Sequence, residues 1–263
     1  MWNKCEDVCA GEEEVKAKGE KYLPKPSGME TEQYQSYKAR AEFFNATGRT
    51  LEGLHGMLFA KKPIINIDKK YEEFLENVDG EGNSLNNFVS DCTYSTLMLG
   101  YGGVLVDAPQ SEGIRSKKEA EINNIVPFMT FYKAQDIFDV RSSVVGRQRV
   151  LSFVKLREYK EEQSKTNDFL VEKKEVYRVL SLDENGNYYQ RVFNKQGQLE
   201  STFYPTKNGQ YLKEIPFFPL PAQRATKPIL LDLVNVNLAW YRKSADLENG
   251  AHWTGVPTPY VIG

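Results

Sequence analysis

The chain has 263 residues, 40% hydrophobic and 27% charged, which is enough apolar material for a sizeable core and too much for a disordered chain. Three cysteines are an odd number in a chain too large to need disulfides, which excludes a small disulfide scaffold and favours a reducing compartment such as a cytoplasm. The net charge is −2, which does not fit a uniformly basic nucleic-acid binder, although residues 141–227 carry 16 basic and 10 acidic side chains.

The N-terminal third has helical patterns. Residues 2–23 predict one helix, acidic in its first half and basic in its second, that ends at Pro24. Ser27 and Glu30 have the spacing of a capping box for a second helix, which we expect to reach Arg49 and to continue until Pro63.

A short helix is predicted at 71–76, followed by a turn and a helix that Ser84 caps and that runs to Leu99. The glycines of GYGG at 100–103 indicate the end of that helix, and Val104–Val106 read as a buried strand. Residues 108–124 are polar and predict a loop.

Strand patterns replace helical ones between Val126 and Leu220. Asn185-Gly186 between two alternating segments is a strong hairpin signal, and the glycine of NKQGQ suits a bulge before the next strand. Residues 148–205 therefore predict an antiparallel meander. The fold class expected is α+β, with a helical N-terminal third, this meander in the middle and a long C-terminal helix.

The last predicted element is a helix over 228–250, roughly 35 Å long, with Thr226 as its cap and Gly250 as its end. Its first half is apolar on nearly every face, so we expect it to be buried on most sides.

Few residues suggest catalysis or metal binding. His55 and His252 are the only histidines and have no ligand set beside them, while Cys5 and Cys9 lack a second pair, so neither a metal nor a cofactor is predicted. Asp107 ends a predicted strand and could act with Glu158 in a hydrolase, but no nucleophile or metalloenzyme motif occurs, so we expect no catalytic residues.

Several segments together resemble a known family. They are W-x-x-C-x-D at 2–7, GEEEVKAKGEKYLPKP at 11–26, YQSYKARAEFFNATGRTLEGLHGMLFAKKP at 34–63, GYGGVLVDAP at 100–109, VKLRE at 154–158 and LVNVNLAWYRKSADLENGAHWTGVPTPYVIG at 233–263. The chain resembles the portal proteins of tailed bacteriophages, in a branch catalogued as a phage family of unknown function.

The resemblance implies a non-enzymatic homo-oligomeric ring, usually of twelve subunits, at one capsid vertex. Double-stranded DNA passes non-specifically through its axis during packaging and ejection, and the packaging ATPase (terminase large subunit), capsid and neck proteins dock on it. The location implied is the virion, or the host cytoplasm during assembly, with no membrane partner. Residues 1–227 would be the wing, 228–250 the first stem helix and 251–263 the start of the clip.

Two groups of stem residues follow from this resemblance and the helical pattern. Side chains expected to pack within or between subunits are Leu231, Val234, Leu238, Trp240 and Tyr241. Polar side chains expected to face the channel or a neighbouring subunit are Arg242, Lys243, Asp246 and Asn249.

Members of the family continue well beyond this point, so the chain is expected to be a fragment or a truncated prophage product. Two alternatives stay open: a β-rich interaction module of the phage head or neck, and the hydrolase based on Asp107 and Glu158.

Overall fold

A computed structural model of the protein describes residues 1–109, 126–163, 170–207, 209–221 and 227–255. The chain divides into two compact units. The helical unit comprises Met1–Pro63, Thr93–Gly100 and Thr226–Gly263. The sheet unit comprises Ile64–Cys92 and Tyr101–Ala225.

The architecture is α+β, with helices at the N-terminus, an antiparallel meander in the middle and a C-terminal helix, so the predicted fold class is confirmed. The described α-helices are α1 (Trp2–Ala10), α2 (Glu12–Ala17), α3 (Thr31–Arg40), α4 (Ala46–Leu58), α5 (Glu72–Glu76), α6 (Leu85–Leu99) and α7 (Leu231–Thr254). The described strands are β1 (Gly102–Asp107), β2 (Phe128–Lys133), β3 (Ile137–Val145), β4 (Gln148–Gln163), β5 (Val171–Leu182), β6 (Tyr188–Asn194), β7 (Leu199–Phe203), β8 (Thr206–Lys207), β9 (Gln210–Tyr211) and β10 (Phe217–Leu220).

The predicted single helix over 2–23 is wrong, because glycine breaks it twice. Gly11 has φ +108° and separates α1 from α2, and Gly19 has φ +52° where a 3-10 turn begins. Such left-handed conformations are accessible to glycine at little cost and interrupt the helical hydrogen-bond ladder. The chain can therefore change direction between α1 and α2.

The predicted continuous helix that Ser27 caps and that ends at Pro63 is also wrong. Ala41 is extended and ends α3, and Asn45 begins α4 by accepting a hydrogen bond from Gly48 N at 2.8 Å. The capping box is formed by Glu30 with Gln33 rather than by Ser27 with Glu30. An Asx cap is a strong local start signal, and it competes with helix continuation here.

The predicted helices at 71–76 and 84–99 are confirmed by α5 and α6. Ser84 Oγ accepts from Asn87 N at 3.4 Å, and Gly100, at φ +73°, ends α6 just before β1. The predicted loop over 108–124 lies almost wholly outside the described residues.

Two antiparallel sheets carry the sheet unit, together with the short β8–β9 pair. The smaller sheet has the strand order β10-β1-β2, and the larger has the order β3-β4-β5-β6-β7, so the predicted meander is confirmed. The Asn185-Gly186 hairpin joins β5 to β6 as predicted. Gly197, at φ +81°, lies in the turn between β6 and β7, and the register shift of this strand pair lies at Val192/Phe193 rather than at the glycine. Alternation along the larger sheet buries one face, with Val154, Leu156, Val176, Leu180 and Tyr188 at its centre.

Helix α7 is longer at its C-terminal end than predicted. It runs through Gly250 to Thr254, and Leu230 occupies the N-cap position without a side-chain hydrogen bond. Gly250 is exposed within the helix, where a glycine costs about 1 kcal/mol but does not end the helix by itself. The predicted cap, Thr226, lies outside the described residues. With 24 residues, α7 is about 36 Å long.

The helix α7 belongs to the same compact unit as the N-terminal helices. The predicted boundaries at residues 227 and 250 remain predictions, and residues 256–263 of the predicted clip segment lie outside the described part of the chain. No helix among the described residues combines the length and apolarity needed to cross a membrane.

Candidate functional site

One face of α7 forms the core of the helical unit. Leu231, Val234, Leu238, Tyr241 and Ala245 are buried against side chains of α1, α3 and the segments that follow them. The Tyr241 ring meets the Phe43 ring edge-on, with centroids 5.7 Å apart. Burial raises the pKa of Tyr241 to about 12. Four of the five predicted packing residues thus pack within the chain itself, and the fifth, Trp240, does not.

A buried asparagine fixes this face to the start of α4. Asn237 Oδ1 accepts from Thr47 N at 3.1 Å and from Thr47 Oγ1 at 3.0 Å, and its Nδ2 donates to Phe44 O at 2.9 Å. Thr47 is fully buried, so water cannot replace these partners without opening the core. Asn237 was not among the predicted residues, because an asparagine in an apolar helix has no partner that the local sequence reveals.

Three of the four predicted polar residues also bind the chain itself. Arg242 Nε donates to Tyr22 O at 2.9 Å. Asp246 Oδ1 accepts from the Tyr37 hydroxyl at 2.6 Å, and burial together with this hydrogen bond raises the pKa of Tyr37.

The third of these residues is Asn249, whose Oδ1 accepts from Arg40 Nη2 at 3.0 Å. Lys243 is exposed and makes no such bond within the described part of the chain. Of the four predicted polar residues, Lys243 is therefore the one whose side chain stays available for another molecule.

The opposite face of α7 carries an exposed apolar stripe. Its members are Ile229, just before the helix, and Val236, Trp240 and Leu247 on it, each between 57% and 69% exposed. Their spacing of 7, 4 and 7 residues places them along one line of the helix, as in a helix–helix seam. We call these four residues the α7 stripe. Large apolar side chains aligned in this way are typical of an interface with another chain or segment.

The two carboxylates of the hydrolase alternative do lie near each other, in the sheet unit. Both contact one arginine: Arg178 Nη1 lies 2.7 Å from Asp107 Oδ2, and Arg178 Nε lies 2.7 Å from Glu158 Oε1. Gln190 Nε2 donates to Asp107 Oδ1 at 2.9 Å, and the Tyr132 hydroxyl donates to Glu158. The carboxylates are thus occupied by partners that the protein itself supplies.

Burial and charge shift the pKa values in this group, which we call the Arg178 cluster and which consists of Asp107, Tyr132, Glu158, Arg178 and Gln190. Burial lowers the pKa of Arg178, but the negative charge of Glu158 outweighs it and holds the pKa above its ordinary value. Burial and the same carboxylate raise the pKa of Tyr132. Arg178 therefore stays charged and Tyr132 stays protonated at all physiological pH values. The arrangement balances a partly buried cation with two anions.

Neither cysteines nor histidines form a metal centre in the described residues. Burial raises the pKa of Cys9 to about 12 and that of Cys92 to about 12, so both thiols stay protonated near neutral pH. The His55 ring lies edge-on to the Tyr94 ring, with centroids 5.3 Å apart, as an aromatic packing partner.

Comparison with known proteins relates the C-terminal segment to a described family. Residues 229–263 match the family described as Domain of unknown function (DUF4055). The match begins at the first residue of the α7 stripe and contains the whole of α7. A search of curated proteins finds none that matches this chain.

Besides Asn237, the sequence left Arg178 and three members of the α7 stripe, Ile229, Val236 and Leu247, without an assigned role. Trp240 was predicted to pack within or between subunits, but helix phase does not show which side of the helix the rest of the chain covers. Arg178 sits in an alternating strand pattern, where its inward position could have been read from the strand period of two residues.

Proposed function

We propose that the chain is a subunit of a phage portal ring, the head–tail connector through which DNA is packaged and ejected. The observation that carries this proposal is that α7 has two apolar faces, one used by its own chain and one, the α7 stripe, left exposed. A stem helix wedged between neighbours in a ring needs both. The matched family is phage-associated, which supports a phage protein, and the sequence resemblance narrows it to a portal.

The occupant of the α7 stripe is a second copy of the chain. Pairing of the stripe with the same stripe of another copy would give a closed dimer with twofold symmetry, whereas pairing with a different surface repeats around an axis and gives a ring. A ring of twelve such subunits is the form that the resemblance implies.

A portal does not need sequence-specific contacts with DNA. Lys243 lies on the exposed side of α7, and one such lysine in each subunit would give a ring of positive charge with weak, salt-screened attraction for phosphates. Such weak contacts allow duplex DNA to slide. The packaging ATPase, capsid and neck proteins would be further partners, at a capsid vertex and, before that, in the host cytoplasm.

The proposed role is structural rather than catalytic. Asp107 and Glu158 are both held by Arg178, so using either as a general acid or base would first require breaking a partly buried ion pair. The β-rich alternative, a head or neck interaction module, would use the sheet unit and leave α7 without an assembly role.

Electron microscopy distinguishes these functions. The portal proposal predicts ring-shaped particles with a central hole at high protein concentration, and loss of those particles in the variant Trp240→Glu with Leu247→Glu. The matched control Asp232→Ala with Asn235→Ala changes exposed polar residues of the same helix and should retain the rings. Particles without a central hole, or rings that survive the glutamate variant, would contradict the proposal.

A further inference from the structure

The outward-facing side of the larger sheet combines aromatic rings with basic side chains. We call it the outer face; it is opposite the buried face that carries Val154 and Leu180. Cross-strand register on β4, β5 and β6 aligns three rows there. The rows are Phe153–Ser181–Tyr189, Lys155–Val179–Arg191 and Arg157–Tyr177–Phe193.

Cations on this face lie against the faces of neighbouring rings. Lys155 Nζ is 4.7 Å from the centroid of Tyr177, and Arg191 Cζ is 5.2 Å from that of Tyr189. Arg157 Cζ is 5.6 Å from the centroid of Tyr159. Cation–π contacts of this kind orient the basic groups along the sheet surface without neutralising their charge.

Two of these cations have no anionic partner in the described part of the chain. Arg157 is paired with Asp136, at 2.9 Å between Nη2 and Oδ1. Lys155 and Arg191, in contrast, lie against rings and form no ion pair within the described residues, and they flank Val179 in the central row. Asp139 stands opposite Lys155 in that row and is itself paired with Arg141, at 2.5 Å between Oδ2 and Nη2. The central row therefore keeps an excess of positive charge between the aromatic rows.

The outermost rings are open to solvent. Phe138 is 49% exposed and Tyr159 is 52% exposed, and Arg157 Cζ lies 5.5 Å from the first ring centroid and 5.6 Å from the second. Phe138 packs edge-on against Tyr177, with centroids 5.6 Å apart, so part of its ring is held in place while half of it stays open. Aromatic rings exposed beside basic side chains can serve as a stacking surface for another molecule.

We propose that the outer face binds single-stranded nucleic acid without sequence preference. Every base offers a π face that can stack on Phe138 or Tyr159, and the phosphates complement the charges of Lys155 and Arg191. A duplex fits this surface poorly, because its bases are already stacked on one another and present only their edges. An acidic peptide would satisfy the charges but would leave the rings without stacking partners.

This inference is independent of the portal proposal, which concerns duplex DNA and α7. It gives the sheet unit a binding activity of its own, toward a strand exposed during packaging, a transcript or another single-stranded species. Loss of the α7 stripe would not affect it, and loss of the outer face would not affect ring formation.

Fluorescence anisotropy of the full chain with a labelled twelve-nucleotide oligo(dT) tests the proposal, alongside a duplex of equal length and a poly-glutamate peptide. We expect the single strand to bind at least about tenfold more tightly than either competitor, because stacking of even one base supplies that difference. The variant Phe138→Leu with Tyr159→Leu keeps apolar bulk but removes both π faces, and should weaken binding by about tenfold or more.

Salt dependence tests the role of the two central cations. The variant Lys155→Gln with Arg191→Gln should reduce the slope of log K against log salt concentration by about 1.4, since each phosphate contact to a single strand contributes about 0.7. The control Lys69→Gln with Lys207→Gln makes the same charge change at exposed sites on other elements, a 3-10 turn and β8, and should leave affinity within about twofold.

Circular dichroism of each variant establishes that the sheet is intact. Equal affinity for duplex and single strand, tighter binding of poly-glutamate, or outer-face variants that bind like the control would each overturn the proposal.

Discussion

The buried amide of Asn237 offers the sharpest test of how α7 is held in the helical unit. Replacing Asn237 by alanine removes one acceptor for both Thr47 groups and one donor to Phe44 O. A hydrogen bond contributes about 1 kcal/mol net, and a buried group left without a partner costs about 1–3 kcal/mol. Three such interactions around the fully buried Thr47 give an expected loss of about 3 kcal/mol.

The matched control is Asn235→Ala, the same chemical change two residues earlier. Asn235 is exposed and its Oδ1 accepts only from the exposed Lys4 Nζ, at 2.6 Å, so its loss should cost well under about 1 kcal/mol. For a chain of this size, about 3 kcal/mol corresponds to a fall in Tm of about 6–12 °C.

Tryptophan fluorescence during urea unfolding reports this difference selectively. All three tryptophans, Trp2, Trp240 and Trp253, lie in the helical unit. The Asn237→Ala variant should lower the urea midpoint of the fluorescence transition strongly, and Asn235→Ala should hardly change it. Equal midpoints for the two variants would refute the reasoning that this amide holds α7 to α4.

Three further predictions concern other contacts. Arg178→Met should destabilise the sheet unit by about 3–5 kcal/mol, because it leaves two partly buried carboxylates without their cation. Chemical unfolding followed by circular dichroism measures this loss. A loss below about 1 kcal/mol would contradict the role of Arg178 in balancing the two carboxylates. Gly48→Ala should lower Tm, because the added Cβ would lie 2.8 Å from Cys9 O. Gly53→Ala, on the same helix with open space around it, should raise Tm through a gain of up to about 1 kcal/mol. A Tm that is higher for Gly48→Ala than for Gly53→Ala would contradict the close approach of Gly48 to Cys9. Burial raises the pKa of Asp7, but hydrogen bonds from Lys21 and Tyr22 outweigh burial and hold the pKa below its ordinary value. Folding stability should therefore be lost as the pH falls below about 4. The variant Asp7→Asn should lose less stability over the same pH range in acid unfolding.

Local signals explain which parts of the fold the sequence predicted. The Asn185-Gly186 turn and alternating strands specify the meander over short distances, and the structure confirms it. Gly11 is also visible as a local signal in the sequence, but a single glycine can be tolerated inside a helix. Its break is decided by how α1, α2 and α4 pack, which the sequence does not display.

In the candidate site, too, some features follow from local sequence and others depend on contacts between distant residues. The burial of Leu231, Val234, Leu238 and Tyr241 follows from an apolar helix that needs a partner. The exposure of Trp240 does not, because the pattern cannot show which side its own chain covers. Contacts such as Arg242 with Tyr22 span about 220 positions of sequence and become visible only in three dimensions.

Photo-crosslinking at the α7 stripe tests the central claim most directly. Trp240 is replaced by the photo-reactive amino acid benzoylphenylalanine, and the matched control places the same group at Asn235, on the polar side of the helix. The portal account predicts, on illumination, a ladder of covalent oligomers from position 240, of two, three and more copies, and little from position 235. A product that stops at monomer, or that stops at dimer at every protein concentration, would contradict a ring built through α7.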